Sequence, residues 1–382
     1  MERPAPVSTN ASSVAAAPAS RLTPLHEAHL AAGGRLAELH GWCLPHDYGS
    51  YVDECRAVRE RAGVFDVSHL TIVDLEGEGA KAWLRTLLTR DVAALEDGGA
   101  LYGCLCNEAG GVLDDLIVYR LDEHRWRLVL GAAARDKDIA WLQGRRPDGV
   151  SITSPERTAL LAVQGPEAVA LAARALGATR ERAPPIERLG RFRALADGEL
   201  FVARTGYTGE DGVEIALPGA AARALWEALL AAGVVPCGHD ARDTLRLEAG
   251  LSLAGVDLDE AHSPVESGLA WAVDLADPAR DFVGRETIER HLAVGGSSAR
   301  VGLVYDGTWE RELGAGQSVQ LAGRDVGIVT SGAFSPARQQ SIAFARVERP
   351  FQGNCDVVIE RRPLPAHTVA TPFVRAGGRS SG

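Results

Sequence analysis

Residues 107–121 read NEAGGVLDDLIVYRL, and the parsing of that run decides the fold. Asn107 to Gly111 has the composition of a turn, whereas the residues from Val112 are rich in branched apolar side chains, so the run reads as a strand entered from a Gly-Gly turn. Strand side chains alternate between faces: Asp115, Ile117 and Tyr119 point one way, and Asp114, Leu116 and Val118 the other. Strand rise puts Asp115 and Tyr119 roughly 13 Å apart on one wall. If that wall lines a cavity, Asp115 is a functional carboxylate. In the alternative reading the aspartates merely open a hairpin and cap its turn. Residue chemistry leaves both readings open.

Working outward, LYGCLCNE (101–108) reads as the partner strand, RWRLVLGAA (125–133) as a further strand and RDKDIAWLQ (135–143) as a helix. Upstream, a helix is expected over Tyr51–Arg61 and ended by Gly63, followed by a strand at TIVDLEG (71–77) and a helix at GAKAWLRTLL (79–88). From Pro24, the recurrence of Leu25, His26, His29, Leu30, Leu36 and Leu39 at three and four predicts helix, interrupted at Gly33–Gly34. Residues 158–250 repeat the character: TALLAVQGP, then ELFVARTGYTGEDGVEIALP, an Ala-rich helix AAARALWEALLAAG, and the helix ARDTLRLEAG. VGGSS (294–298) reads as a linker into a last region, about 299–375, whose short alternating runs look all-β. Layered strands and helices of this kind make an α+β fold.

The chain has 382 residues, 46% of them hydrophobic and 24% charged, the balance of a globular protein with room for two or three domains. A net charge of −11 argues against nucleic acid and anionic membrane as partners. No apolar run approaches the ~20 residues of a membrane span. Six scattered cysteines with no C-x-x-C pair point to reduced thiols and a cytoplasmic setting. Residues 1–21, rich in Ala, Ser and Pro, read as a disordered tail. A transit peptide is the alternative, opposed by the scarcity of positive charge, with only Arg3 and Arg21 against Glu2.

Several stretches carry chemistry. RTGYTGEDGVEIALP (204–218) sets Tyr207, Glu210, Asp211 and Glu214 among three glycines, and it lacks the trailing lysine of a phosphate loop. Glu214 could accept hydrogen bonds from a ring N–H and an amino group; a plain hairpin turn is the competing reading. In ARDTLRLEAG, Arg242 and Arg246 lie four apart on one helix face, placed either to fork a ligand carboxylate or to pair with Asp243 or Glu248. His26, His29, His40, His46 and His69 cluster early, without the firm spacing of a zinc site, and no metal is expected. Serine-hydrolase and dinucleotide-binding patterns are missing.

Read in order, TPLHEAH, GWCLPHDYGSYVDECRAVRERAGVFDVSHL, LYGCLCNEAGGVLDDLIVYRL, ARDKDIAWL, AVQGP, RTGYTGEDGVEIALP, PCGHDARDTLRLEAG, GVDLDEAHSPVESGLAWAVDL, DFVGRE and GIVTSGAFSP resemble the aminomethyltransferase (T-protein) family of the glycine cleavage system, over about residues 22–375. The resemblance implies a three-domain cloverleaf around a channel for tetrahydrofolate. Two interleaved α+β domains are then expected within 22–292, roughly 22–66 with 154–250 and 67–153 with 251–292, and a β-rich barrel over 299–375. It also implies that Asp115 is the acid/base group, that Tyr102 and Tyr119 flank the pterin, and that Tyr207, Glu214 and Arg242 bind it. Trp271 and Arg311 occupy matching places, and Leu70 stands for the methionine of the family's DVSHM. The implied reaction moves a one-carbon unit from the aminomethylated lipoyl arm of a partner H-protein to N5 and N10 of tetrahydrofolate, releasing ammonia.

The chain departs from the family pattern around that channel. Ala254 and Val256 replace a tyrosine and a glutamine, His239 and Asp240 appear beside Arg242, and Gly131 replaces an amide. These departures favour as an alternative a specialised tetrahydrofolate-dependent demethylase or one-carbon transferase acting on another amine, ether or sulfur donor. A non-catalytic folate-binding accessory protein is more remote, since its K-G-C-Y-x-G-Q signature is absent.

Overall fold

Two β-sheets stacked face to face carry the first three-quarters of the chain in the computed structural model, which describes residues 20–155, 158–305, 313–351 and 353–380. The six-stranded sheet runs in the order Ala194–Asp197, Leu200–Ala203, Gly212–Pro218, Thr158–Gln164, Gly63–Asp66, Val235–Pro236. The five-stranded sheet runs Ala100–Cys106, Val112–Arg120, Arg125–Leu130, Thr71–Glu76, Ser151–Thr153. Alternation gives each sheet two apolar faces. Val64, Leu161, Val163 and Ile215 pack outward on the helices Ala168–Thr179 and Gly219–Ala231. Leu116, Val118 and Leu128 pack outward on the helix Ala80–Leu87, whose buried residues Ala80, Trp83, Leu84 and Leu87 recur at helical spacing. The inner faces meet through Phe65, Ala162, Phe201 and Ala216 on one side and Ile72, Ala100 and Tyr119 on the other. The last region closes as a six-stranded barrel: Ser298–Tyr305, Gln340–Glu348, Arg324–Ser335, Ser318–Leu321, Asn354–Ile359, Arg362–Val369.

One reading from periodicity is corrected. The helix entered after Pro24 covers only His26–Ala31; Leu36 and Leu39 belong to the strand Arg35–Leu39, which pairs with Trp42–Asp47. Gly33 at φ +81° stops the helix, and His40 and Gly41, at φ 52° and 79°, reverse the chain into a hairpin. Of the expected tail, residues 1–19 lie outside the described residues, and Arg21 is in a short strand beside Trp42.

The helix His239–Glu248 joins these layers to the barrel. Arg246, 1% exposed, donates to Asp243 (2.8 Å), to Asp257 (2.6 Å) and, across to the barrel, to Ser331 Oγ (2.8 Å). Two residues on, Glu248 accepts from Arg59 (2.7 Å) and from Ser335 of the barrel (2.5 Å). Every charge in this cluster is met by several donors or acceptors, the condition under which buried ions are tolerated. Asp257→Ala would leave the buried Arg246 guanidinium with the half-exposed Asp243 as its one carboxylate partner among the described residues. It is expected to destabilise the protein by about 3 kcal/mol, read from the urea midpoint; a midpoint equal to wild type would show that this pair carries no such strain.

Candidate active site

The turn before the decisive strand is held by Asn107, whose Oδ1 accepts the Gly111 N–H (2.9 Å), with Gly110 at φ +85°. Val112 N–H donates to the carbonyls of Asp259 and His262, each at 3.0 Å, which docks the strand's start on the 259–262 loop. Both aspartates lie beyond that turn, inside the ladder: Asp114 pairs with Leu105 and Asp115 with Cys104. The turn-capping reading therefore fails, and the alternation places them as expected. Asp114 is fully buried on the core face, whereas Asp115 faces the space between the elements.

On the Asp115 side, the Tyr102 hydroxyl hydrogen-bonds the carboxyl, and the Tyr102 ring stacks on Trp271 at 5.1 Å and 24°. Trp271 is 58% exposed, so this pair stands at the mouth. Burial is the largest cause pushing the Asp115 carboxyl up to about 7; an ionised Asp114 would act in the same direction, and the Tyr102 hydrogen bond opposes.

The opposite wall is the glycine-rich hairpin. A Cβ on Gly206 or Gly212 would collide with the Gln164 side chain, whose amide donates to the Thr205 carbonyl at 3.1 Å. Small residues are thus needed for the hairpin to close. Thr205 Oγ1 donates to Glu214 Oε2 (2.5 Å) and meets the Tyr119 hydroxyl (3.1 Å). Burial pushes Glu214 up, while Thr205 and then Arg242 draw it down. Tyr119 is 1% exposed, edge-on to Phe201, so it reaches the site through Thr205 and not as a wall. The Tyr207 hydroxyl donates to the Ser252 carbonyl, and Arg242 lies 4.5 Å over its ring. The Arg242 side chain makes no hydrogen bond or ion pair among the described residues, in contrast to Arg246 one turn later. A partly desolvated guanidinium with unused donors is suited to an anionic or carbonyl-bearing ligand.

Two other expected residues are not placed with these. Leu70 lines a cavity of about 860 Å³ with Phe201 and Leu160 at the far end of the inter-sheet space, a cavity whose walls include neither Asp115 nor Arg242. Arg311 lies outside the described residues. Conversely, Ser252 and Arg300 join the site without having been singled out, and so does His69, which the sequence offered only as one of a cluster of early histidines. Arg300 of the barrel donates to Ser252 Oγ (2.7 Å) and lies near Tyr102. His69 is 4% exposed with Nδ1 unpartnered, and its ring lies 6.3 Å from His239. Burial and Arg242 hold both imidazoles below the usual histidine range, at about 3 for His69 and about 4 for His239. No signature in sequence marks a buried histidine that lacks a partner. Elsewhere His46, Asp47 and Asp240 bring ligand-type atoms within 4.8 Å, but Arg35 already pairs with Asp47 at 2.7 Å.

Comparison with known proteins agrees with this geometry. The family described as GCVT N-terminal domain matches residues 25–277, and the Glycine cleavage T-protein C-terminal barrel domain matches 299–375. Aminomethyltransferase of Stenotrophomonas maltophilia (strain K279a) is 48% identical over 368 residues, covering 94% of this chain and 98% of the relative. Aminomethyltransferase of Alcanivorax borkumensis is 46% identical over 357 residues, covering 93% and 97%. The crystal structure of glycine cleavage system aminomethyltransferase T from Bartonella henselae aligns with a TM-score of 0.87 at 35% identity, over 94% of this chain and 99% of that one.

The site's acidity makes a prediction about stability. Asp115 holds its proton more tightly when folded (about 7) than when unfolded (near 3.8), so folding takes up a proton and stability falls as pH rises between those values. Asp115→Asn removes that penalty. It is expected to stabilise the protein by at least about 1 kcal/mol at pH 8 and hardly at all near pH 4, in urea melts at both pH values; equal effects at the two would place the carboxyl in water.

Proposed function

The chain belongs to the glycine cleavage T-protein family and is an aminomethyltransferase, and from that footing we propose that it moves a one-carbon unit from the aminomethyl-lipoyl arm of an H-protein to tetrahydrofolate through the site around Asp115. Tetrahydrofolate supplies the two nitrogens that accept the carbon. Every other element of the chemistry is positioning and proton handling by the chain's own residues. Asp115 is proposed as the group that takes and returns the proton, since its carboxyl titrates near neutrality on the wall that Tyr102 and Trp271 flank. Its negative form also stabilises positive charge developing on the transferred fragment.

Glu214 is proposed to accept from the donor edge of the pterin: one of its oxygens is engaged by Thr205, and the other accepts no hydrogen bond among the described residues, with Arg242 near enough to favour its charge. Arg242, unpaired and braced on the Tyr207 ring, is proposed to bind a carboxylate or carbonyl of the folate. Tyr119 is proposed to orient Glu214 through Thr205. On this reading the chain divides into 22–66 with 154–250, 67–153 with 251–292, and the barrel 299–375, a division supported by the two sheets and the closed barrel. None of the helices among the described residues is long and apolar enough to cross a membrane, and a cytoplasmic setting is proposed from the free cysteines.

The observation that carries the proposal is the buried Asp115 carboxyl under the Tyr102 hydroxyl, with the unpaired Arg242 guanidinium on the other side of a shared neighbour, Tyr207. With tetrahydrofolate and aminomethylated H-protein, Asp115→Asn is expected to lose on the order of a hundredfold or more in kcat while calorimetric affinity for tetrahydrofolate stays within a few-fold. Turnover close to wild type would remove Asp115 from the chemistry. Arg242→Ala is expected to weaken tetrahydrofolate binding about tenfold or more, and unchanged affinity would return Arg242 to a structural role. As a base, Asp115 works ionised, so kcat/KM is expected to rise with pH through about 7.

A further inference from the structure

Behind Asp115, on the other face of the same strand, lies a pair of carboxyl groups that the reaction does not use. Asp114 is 0% exposed and Asp138, in the first turn of the helix Arg135–Gly144, is 1% exposed. The two side chains are in hydrogen-bond contact. Asp114 accepts the backbone N–H of Gly131 at Oδ2 (3.0 Å) and that of Asp115 at Oδ1 (3.0 Å), and no cation touches it among the described residues. Asp138 Oδ2 is buried and has no donor from any other group. Two contacting carboxylates out of water cannot both be charged, and an orphaned oxygen facing a carboxyl calls for a proton between them. Asp138 is the better anion of the two, because it sits at a helix N-terminus beside Lys137.

We propose that Asp114 and Asp138 share one proton, carried by Asp114, and that this shared proton sets the acidity of Asp115. Both are positioning residues that act through Asp115, so the inference rests on the role given to Asp115 above. The groups facing the pair are Lys137, which also binds Glu260 (3.0 Å) and the Leu113 carbonyl (3.1 Å), and Glu260 itself. Those facing Asp115 are Tyr102, Cys104 across the ladder, Tyr207 from the glycine-rich hairpin, and Asp257 from the loop beyond. Of all these, Asp114 is nearest in the chain and linked to Asp115 by its own hydrogen bond. While Asp114 keeps the proton it is neutral, and Asp115 titrates against a neutral neighbour. Once Asp114 ionises, an anion stands one residue away and Asp115 binds its proton more tightly. Gly131 suits this arrangement, since a Cβ there would lie 3.2 Å from both Asp114 oxygens.

The test is the pH dependence of kcat/KM for the full chain with tetrahydrofolate and aminomethylated H-protein. In Asp138→Asn the amide donates to Asp114 and favours its ionised form, so the acidic limb is expected to move up by about half a unit to one unit. In Asp114→Asn the amide replaces the protonated carboxyl as donor to Asp138, so the limb is expected to stay within a few tenths of wild type. A limb that stays put in Asp138→Asn, or that falls by a unit in Asp114→Asn, overturns the proposal. A merely structural pair would lower kcat in both without moving either limb. A second measurement does not depend on turnover or on folding of Asp138→Asn: the infrared difference between Asp115→Asn and Asp115→Asn/Asp114→Asn at neutral pH is expected to show one protonated carboxyl group. Absence of that signal overturns the shared proton, whereas full turnover by Asp115→Asn alone would overturn the role of Asp115 and leave the pair standing.

Discussion

The Arg246–Asp257 ion pair fixes where the catalytic elements can stand. Arg246 rises from the helix His239–Glu248, Asp257 from the loop that follows, and both reach the barrel through Ser331 Oγ. Burying either ion alone would cost several kcal/mol, so only arrangements that bring helix, loop and barrel together at once are accessible. The pair gains specificity of assembly more than net stability, because a well-packed apolar substitute could match its energy but would not dictate direction. Direction is what the site needs: one turn before Arg246 the same helix presents Arg242, and a helix rotated by one residue would aim that guanidinium roughly 100° away.

The contrast between these two arginines explains how the molecule keeps one cation free while burying another. Arg246 has all its neighbours supplied by the chain, from Asp243, Asp257, Leu251 and Ser331. Arg242 has only the face of Tyr207 and the fields of Glu214 and Asp243, and burial lowers its pKa, a mark of incomplete solvation. The histidines beside it stay neutral and so add no second cation to the site. A ligand carrying negative or carbonyl oxygens would therefore complete a solvation shell that the fold leaves short.

How much of this was legible in the sequence depends on the range of the interaction. The alternation of residues 112–120 was enough to place Asp114 and Asp115 on opposite faces, because strand periodicity is local. The all-β character of the last region was legible for the same reason, from alternating runs after a Gly/Ser linker, whereas its closure into a barrel was implied only by the family resemblance. Leu36 and Leu39 misled, since a few leucines at three and four fit a helix as well as a short hairpin, and the Gly33 and Gly41 conformations decided between them. Tyr119 lay on the expected face but under Phe201, and Leu70 fell on a separate cavity, because depth along a shared face depends on the facing sheet. Which arginine of the Arg242–Arg246 pair would be tied down was settled by Asp257, a partner outside the helix. The contribution of Arg300 from the barrel had no local sign at all.

The strand Val112–Arg120 thus serves both sides of the sheet with adjacent residues. A catalytic carboxyl must change charge readily, which requires a site dry enough to raise its pKa yet open enough to exchange protons. On the core side burial and the contact with Asp138 push Asp114 up to about 8, against the two backbone N–H groups that it accepts. On the open side the Tyr102 hydroxyl restrains the rise by stabilising the anion, and the neighbouring carboxyl pushes the other way. Because the two aspartates are consecutive, their backbone geometry fixes the distance between these opposing influences. Inserting one residue between them would bring both onto the same face of the strand, so one of the two carboxyls would lose its place. The adjacency of the two carboxyls is therefore a structural requirement of the site, and the turn of Asn107–Gly111 that sets the strand's register is part of the chemistry.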